Sequence, residues 1–366
     1  MTVPRVPLGA DGYTISRMLV GGWQLSAGHR EARLDERAIG ADLLRMARAG
    51  LTTFDCADIY TGVEELFGRF AARVRQDLAA DGIELQLHTK FVPDEQALAT
   101  LRKADVARAI DRSLRRLGVD RLDLVQFAWW DYAVPGYVEV ALWLNELRRD
   151  GKIRHVGVTN FDVARTQEML DAGARLVCNQ VQYSLLDRRP ERGNGTGDEP
   201  SMVELAQQRG LGLLAYGTLA GGFLAERYRG RATPQESLGN RSLVKYRLMI
   251  DEFGGWERYQ GLLAVLREVA VRRGVGIPAV ALRWTLDRSA VAGVIVGTFH
   301  GGHLDANLAA LGCELDDADR DAIDRVLEQS LGPIGDVFGL ERDPDGPHSA
   351  IMWKNLSRPR DAGPAS

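Results

Sequence analysis

The chain has 366 residues, of which 45% are hydrophobic and 26% charged, and a formal net charge of −4 at pH 7. This composition is typical of a globular protein with a large core, and the slight acidity gives no electrostatic footprint for nucleic acid or an anionic membrane. No apolar run approaches the roughly 20 residues of a membrane span. The N-terminal sequence MTVPRVPLGADGY lacks the apolar stretch of a signal peptide.

The three cysteines, Cys56, Cys178 and Cys313, are odd in number and far apart in the sequence. They form no Cys-x-x-Cys pair and no Cys/His cluster, so the sequence predicts neither a disulfide framework nor a metal site. We expect buried free thiols in a reducing cytoplasm. Arginine far outnumbers lysine, as is common in proteins from GC-rich bacterial genomes.

Short apolar segments typical of strands alternate along the chain with longer segments of helical periodicity. In chain order the predicted strands are 17–23, 51–57, 84–91, 122–129, 154–160, 176–184, 211–218 and 292–298. The predicted helices between them include 104–118, 137–151, 163–173, 201–210 and 262–274. In the segment 104–118 the apolar residues fall at spacings of three and four, which leaves one stripe to cover a sheet.

Eight strands that alternate with helices predict a parallel sheet, and closing that sheet gives an α/β fold, the (β/α)8 TIM barrel. The rival is an open doubly wound sheet, which usually carries Gly-x-Gly-x-x-Gly after its first strand, and VGGWQLSAG does not match. We predict a single barrel domain over residues 1–330 and a loop-like C-terminal tail over 331–366. The long segment 221–261 is predicted to be a lid or substrate wall at the carboxyl end of the barrel.

Polar side chains collect where the predicted strands end, which is where a barrel of this type carries its chemistry. Asp55 lies near the end of the second strand, Tyr60 follows in the adjoining loop, and Lys90 ends the third strand. Because side chains alternate along a strand, Lys90 points into the barrel and must be paired or shift its pKa. With Asp55 as its partner, the Lys90 ammonium would stabilise the phenolate of Tyr60 and make its hydroxyl a usable proton donor near neutral pH. An ion pair that only fills the barrel mouth is the alternative.

The ordered motifs of the chain resemble those of the aldo-keto reductase superfamily over about residues 5–315. FDCADIY (54–60) is similar to its Asp-x-x-x-x-Tyr signature, LHTKF (87–91) carries the lysine, and DLVQFAWWD (123–131) is similar to its fourth-strand segment. GKIRHVGVTNF, NQVQYSLLD, AYGTLAGGFL and HLDANLAAL follow in the order of the family. The resemblance implies a (β/α)8 barrel and hydride transfer from a nicotinamide to a carbonyl.

Roles of individual residues follow from the resemblance at the matching positions. The catalytic group would be Tyr60 as proton donor, supported by Lys90 and Asp55. The coenzyme residues would be Thr159, Asn160 and Gln180 at the carboxamide, Tyr216 stacked on the nicotinamide, and Gly217, Thr218 and Leu219 along the pyrophosphate. For Tyr216 a core aromatic residue is the alternative.

Position 128 departs from the family, which carries a histidine where this chain has Ala128. In the family that histidine orients the carbonyl and assists the proton donor. A methyl group neither donates nor accepts a hydrogen bond, and general acid–base assistance contributes about 10²–10⁴-fold. Ordinary ketone reduction is therefore expected to be weak unless another group replaces it. His88 faces the same way as Lys90 but two residues deeper; it is a candidate replacement or a satisfied core histidine.

The region expected to hold the 2′-phosphate of the coenzyme also departs from the family. In VGTFHGGHLDAN, Thr298 and Asn307 are retained, but Gly297, His303 and Ala306 stand where basic and acidic residues are common. A mostly neutral histidine is a poor substitute for a bidentate arginine. The resemblance favours NADPH, with NADH as the alternative, and Thr298 and Asn307 are expected to hydrogen-bond the adenosine end.

Aromatic side chains are expected to wall the substrate site. Trp23, Trp129 and Trp130 are predicted to surround the space that Ala128 leaves, which suits an apolar or ring-bearing substrate. One or two of these tryptophans packing under helices is the alternative.

Three functional hypotheses follow from these patterns. The first is an NAD(P)H-dependent oxidoreductase that reduces a carbonyl, or a conjugated enone, of an apolar or cyclic small molecule. The second is a non-redox lyase or isomerase that uses the Tyr60, Lys90 and Asp55 group for proton transfer. The third is a catalytically weak coenzyme-binding protein that keeps the barrel.

Overall fold

A computed structural model of the chain describes residues 2–27, 29, 34–193, 199–234, 238–297 and 301–355. Within these residues the strands are β1 (Arg5–Pro7), β2 (Thr14–Ser16), β3 (Met18–Gly21), β4 (Thr53–Asp55), β5 (Gln86–Phe91), β6 (Leu122–Phe127), β7 (Ile153–Thr159), β8 (Cys178–Gln182), β9 (Gly212–Tyr216) and β10 (Val291–Gly297). Strands β3 to β10 pair in parallel and close into a barrel, because β10 pairs with both β9 and β3. The predicted (β/α)8 TIM barrel is confirmed.

Helices surround this barrel and follow its strands. They are α1 (Glu36–Arg48), α2 (Val63–Ala80), α3 (Lys103–Leu117), α4 (Tyr137–Arg149), α5 (Val163–Asp171), α6 (Arg189–Arg192), α7 (Met202–Arg209), α8 (Arg241–Phe253), α9 (Gly255–Arg273), α10 (Ile277–Leu286), α11 (Leu304–Gly312), α12 (Asp317–Leu327), α13 (Gly339–Arg342) and α14 (Pro347–Ala350). The apolar stripe predicted for α3 is buried, and Gly118 ends that helix in the left-handed conformation, at φ 65°. A Cβ at Gly68 of α2 would lie 2.6 Å from Arg116 O of α3, so glycine permits the close approach of these two helices.

The amino end of the barrel is closed by the hairpin of β1 and β2, which the sequence did not predict. Leu8, Tyr13 and Ile15 pack in one apolar cluster with Leu19 and Leu124 from the barrel strands. With this end plugged, the carboxyl ends of the strands are the open side of the barrel, as in other barrels of this fold.

Two segments differ from their predicted form. The segment 221–261 contains all of α8 and the start of α9, which begins at Gly255 rather than at residue 262. Gly254, at φ 119°, is the only residue between these two helices. Polar residues follow it, so the first turns of α9 show no clear apolar periodicity and were not predicted as helix. The tail from 331 contains α13 and α14, whose four residues each are too short to show a helical period. Residues 356–366 of the predicted tail lie outside the described residues.

The three cysteines are buried and unpaired. Among the described residues no cluster of three or more His, Cys, Asp or Glu side chains is arranged to hold a metal ion. No helix in the same ranges combines the length and apolarity that crossing a bilayer requires.

Candidate active site

Lys90 and Asp55 form a buried ion pair at the carboxyl end of the barrel. Lys90 Nζ lies 2.5 Å from Asp55 Oδ2 and donates to Cys56 O at 2.9 Å, and both side chains are about 95% buried. The register of β4 and β5 pairs Asp55 with His88, so Lys90, two residues further on, projects just above the carboxylate. Burial opposes the charge on Lys90, but Asp55 and the Tyr60 phenol outweigh it and raise the pKa of the ammonium overall.

The second oxygen of Asp55 is held by two glutamines. Gln126 Nε2 and Gln180 Nε2 donate to Asp55 Oδ1 at 3.0 and 2.8 Å, and Gln180 Nε2 also lies 3.0 Å from Gln126 Oε1. Gln180 was predicted to be a coenzyme residue, but Gln126 was not predicted to belong to the site. The sequence could have indicated Gln126, because it is a polar residue at an inward-facing position of a predicted strand. The carboxylate is thus fully hydrogen-bonded, which a buried charge requires.

Tyr60 lies in the loop between β4 and α2, with its ring beside the ion pair. Lys90 Nζ is 5.1 Å from the centroid of the phenol ring, and the indole of Trp23 meets that ring edge-on at 4.9 Å between centroids. Burial raises the pKa of Tyr60, and the nearby charge of Lys90 lowers it only in part. The sequence predicted a lowered pKa, and the structure reverses that direction because the half-buried phenol loses much of its contact with water.

The predicted carboxamide residues meet at the ends of β7 and β8. Asn160 N donates to Gln180 O at 2.9 Å, and Thr159 Oγ1 donates to the same carbonyl at 3.0 Å. Tyr216, at the end of β9, donates its hydroxyl to Asn160 Oδ1 at 2.9 Å. The structure therefore brings Thr159, Asn160, Gln180 and Tyr216 together, and Gln180 links them to the Asp55 carboxylate.

The other predicted coenzyme residues lie at or beyond the ends of β9 and β10, which are adjacent strands. Gly217 has φ 70°, and a Cβ there would lie 2.4 Å from Tyr246 Oη, so only glycine fits. Thr218 is buried and Leu219 half-buried after it. A Cβ at Gly297 would lie 2.4 Å from Gln24 Oε1.

The predicted 2′-phosphate residues are only partly described. Asn307 is buried in α11, whereas His303 is exposed at the N-cap of that helix. Thr298 lies outside the described residues.

Ala128 follows β6 and is half-buried, and its backbone N–H donates to Phe91 O at 3.1 Å. His88 does not replace the missing histidine. It is fully buried deeper in the barrel, where Nε2 lies 2.8 Å from Tyr13 Oη of the N-terminal hairpin. Burial, followed by the charges of Lys90 and His155, lowers the pKa of His88 to about 3, so this imidazole is a neutral core group.

The three tryptophans occupy different environments. Trp23 is 38% exposed, and its Nε1 donates to Ser242 Oγ of α8 at 3.0 Å. Trp130 is half-buried and donates to Pro93 O at 2.8 Å. Trp129 is only 1% exposed and donates to Val134 O, so its indole packs in the core and presents almost no surface to a substrate. The alternative of core packing therefore holds for Trp129.

The C-terminal tail reaches this site, which the sequence did not predict. Arg342 of α13 donates to the backbone carbonyls of Trp129 and Asn160 at 2.9 and 2.8 Å. These contacts join residues far apart in a segment without periodicity, so no pattern in the sequence marks them.

Comparison with known proteins identifies the family of the chain. The model of the Aldo/keto reductase family matches residues 17–328. The chain is 27% identical over 338 residues to the NADH-specific methylglyoxal reductase of Escherichia coli K12, covering 88% of this chain and 98% of that protein. It is 30% identical over 315 residues to the L-glyceraldehyde 3-phosphate reductase of the same organism, covering 83% and 86%.

A solved structure gives the same result for the fold. The glycerol dehydrogenase of Gluconobacter oxydans superposes with a TM-score of 0.71 at 26% sequence identity, covering 90% of this chain and 97% of that one. With the family match spanning nearly the whole barrel, the chain belongs to the aldo/keto reductase family and is a nicotinamide-dependent oxidoreductase.

Proposed function

We propose that this enzyme reduces a carbonyl, or the double bond of a conjugated enone, in an apolar or cyclic small molecule, with NADPH as coenzyme and Tyr60 as proton donor. The observation that carries the proposal is the buried Lys90–Asp55 ion pair beside the Tyr60 ring. An ion pair that only filled the barrel mouth would require neither a phenol next to the ammonium nor open amide groups beside the carboxylate.

Asn160 and Gln180 fit the carboxamide of a nicotinamide. Gln180 Nε2 donates to Asp55, and Asn160 Oδ1 accepts from Tyr216. The other polar atom of each amide, Gln180 Oε1 and Asn160 Nδ2, makes no hydrogen bond in the described part of the chain. A carboxamide has one donor group and one acceptor, and these two free groups are its complement. When bound, the reduced nicotinamide supplies the hydride, and the ring of Tyr216 would pack on it.

Tyr60 would hold the proton that the product needs. Because burial keeps the pKa of its hydroxyl raised, the phenol is protonated at neutral pH, which is the form that a reduction requires. When the carbonyl carbon accepts the hydride, negative charge develops on its oxygen, and the Tyr60 proton neutralises it to give the alcohol. The phenolate that remains is stabilised by Lys90, whose own charge Asp55 maintains.

The choice of NADPH over NADH rests on the family resemblance alone. The Escherichia coli methylglyoxal reductase similar to this chain is NADH-specific. His303 is exposed where a phosphate-binding cation would be expected, and an imidazole is a weaker partner for a phosphate than arginine. NADH therefore stays as the alternative coenzyme of this proposal.

Ala128 and the exposed aromatic surface bear on the substrate class. Trp23 has exposed surface and lies next to Tyr60, and Trp130 is half-buried and follows Ala128 by two residues. We therefore propose these two tryptophans as walls of the substrate site. The methyl of Ala128 adds space but no hydrogen bond. An apolar or cyclic substrate that is positioned by packing suits such a site.

Coenzyme titration followed by turnover tests the proposal. NADPH and NADH are titrated into the protein, and the absorbance of the reduced nicotinamide is followed with a panel of ketones, aldehydes and enones. Coenzyme binding with consumption is the expected result. Product formation without consumption would support the lyase or isomerase, and tight binding without turnover would support a binding protein.

An Ala128→His variant tests the role of the missing group. We expect kcat/KM for simple ketones to rise, by up to about 10²-fold, because an imidazole can donate a hydrogen bond to the carbonyl oxygen. Ala128→Leu is the matched control, since it fills the space without a donor, and it should give no rise. An equal response to both substitutions would contradict the account of Ala128.

A further inference from the structure

The C-terminal tail lies against the carboxyl end of the barrel, where it contacts the segments that follow β5 and β7. Asp336 Oδ2 accepts a hydrogen bond from Val163 N, at the start of α5, at 3.1 Å. Further along, Glu95, in the turn after β5, donates its backbone N–H to Lys354 O at 2.9 Å and pairs with Lys354 Nζ at 3.2 Å. The part of the tail between these contacts therefore lies by the ends of β5, β6 and β7, beside the candidate active site. The family match ends at residue 328, before the tail begins.

Arg342 is the tail residue that contacts the candidate carboxamide site. Its Nη2 donates to Trp129 O at 2.9 Å and to Asn160 O at 2.8 Å. The guanidinium lies 4.1 Å from the ring centroid of Tyr132 and 5.1 Å from that of Phe338. A cation is attracted to the face of an aromatic ring, so these two contacts stabilise the guanidinium in this position. The side chain is thus fixed with its hydrogen bonds directed at the ends of β6 and β7.

Asn160 is held in a conformation that non-glycine residues seldom adopt. Its φ is 62°, in the left-handed region. Such a conformation persists where the surroundings fix it. Here the backbone N–H is bonded to Gln180 O, the side-chain Oδ1 to Tyr216 Oη, and the carbonyl to Arg342. Arg342 therefore supplies one of three contacts that set the direction of the free Asn160 Nδ2.

The neighbouring tail residue, Glu341, is connected to Tyr216 of the same site through Lys245. It is fully buried, and its oxygens accept from Arg189 Nη1 at 2.9 Å and Lys245 Nζ at 3.2 Å. Burial acts to raise the pKa of Glu341, but the two cations outweigh it and lower the pKa overall, so the carboxylate is charged. Lys245 Nζ in turn lies 5.3 Å from the ring centroid of Tyr216. Two adjacent residues of α13 thus connect the tail to Asn160 and to Tyr216.

We propose that Arg342 is a positioning residue for the coenzyme: it fixes Asn160 from the backbone side, and through it the tail acts as a latch that slows release of the nicotinamide. This inference rests on the proposed function, because it assumes that the nicotinamide carboxamide binds to Asn160. Arg342 touches the backbone of the site and no reacting atom.

Coenzyme release from variants of the full chain tests the latch. Arg342→Met keeps an unbranched apolar side chain against the rings of Tyr132 and Phe338 but removes both hydrogen bonds. We expect the dissociation rate of NADPH or NADH, followed by the fluorescence of the reduced nicotinamide, to rise about tenfold or more. The association rate should change much less. Arg342→Lys, which keeps a cationic donor, should lie between Arg342→Met and the wild type.

The control is Arg325→Met, at an exposed arginine of α12, which should leave the dissociation rate unchanged. Thermal melting of each variant identifies a temperature at which all of them are folded, and the dissociation rates are compared at that temperature. If Arg342→Met does not fold, the comparison is made with Arg342→Lys alone. If Arg342 only attached the tail, its replacement would lower the melting temperature and leave the dissociation rate at the wild-type value, which overturns the inference. A wild-type chain that bound neither coenzyme would instead overturn the proposed function.

Discussion

Strand β5 carries two ionisable side chains, Lys90 and His88, into the barrel. The pKa of the first is raised and that of the second is lowered, because they face opposite ends of the barrel. Lys90 faces the carboxyl end, where Asp55 raises its pKa against the effect of burial. His88, two residues earlier, faces the hairpin end, where its partner is the neutral Tyr13 hydroxyl and burial lowers its pKa to about 3. Burial favours the neutral form of both groups, so the difference lies in the partner. A charge persists inside this barrel only where a carboxylate is placed beside it.

The two groups are also separate in their hydrogen bonding. Lys90, Asp55, Gln126 and Gln180 form one connected set, and none of the described side-chain hydrogen bonds joins that set to the His88 ring. Substitutions at the carboxyl end should therefore change activity, while substitutions at the hairpin end should change stability alone.

The largest effect is expected for Lys90→Met. Activity should fall about 10²–10⁴-fold, because the Tyr60 phenolate loses its stabilising charge. The unfolding free energy should fall by about 3–5 kcal/mol, because Asp55 is left as an unpaired buried charge. Both are measured on one preparation, by steady-state kinetics and urea denaturation.

The double variant Lys90→Met/Asp55→Asn sharpens this result. It removes both charges, so it should be more stable than Lys90→Met alone while remaining inactive. A double variant less stable than the single one would show that the unpaired carboxylate is not the source of the loss.

A smaller effect, on acid stability, is expected for His88→Leu. The unfolded imidazole titrates near 6.5 and the folded one at about 3, so the unfolded state binds the additional proton between these values. In the wild type this group therefore removes stability as the pH falls from about 6.5 to 3, on the order of a few kcal/mol. His88→Leu should flatten that part of the curve of unfolding free energy against pH. Parallel curves for variant and wild type would contradict the neutral assignment of His88.

The smallest effect is expected for Tyr13→Phe. Removing the hydroxyl leaves the His88 Nε2 without its partner, and Nδ1 already has none in the described part of the chain. One unsatisfied buried polar atom costs about 1–3 kcal/mol. The melting temperature should fall while kcat/KM stays at the wild-type value, and a loss of activity in the folded variant would show that the two ends are coupled.

Strand periodicity predicted eight strands that alternate with helices, and such an alternation predicts a parallel barrel. Residue alternation directed Lys90 inward, and the carboxyl ends of neighbouring strands bring Asp55, Tyr60 and Lys90 together. Alternation could equally have identified Gln126, which stands on the inward face of β6. Trp129 was misplaced because the chain leaves the strand after Phe127, where alternation no longer predicts direction. The raised pKa of Tyr60 depends on how many atoms surround the ring, and a sequence does not give this number.

The tail contacts were beyond prediction for a different reason. Arg342 contacts Asn160 across 182 positions of the chain. Neither α13 nor the residues around it carry a period or a motif. Contacts of this kind depend on the tertiary course of an irregular segment, which only coordinates reveal.

The most direct test of the central claim compares the wild type with Tyr60→Phe in a single-turnover reaction with reduced coenzyme and an accepted carbonyl substrate. The account predicts that Tyr60→Phe binds the coenzyme as the wild type does but oxidises it about 10²–10⁴-fold more slowly, because the proton donor is missing. Oxidation of the coenzyme at the wild-type rate by Tyr60→Phe would contradict the account.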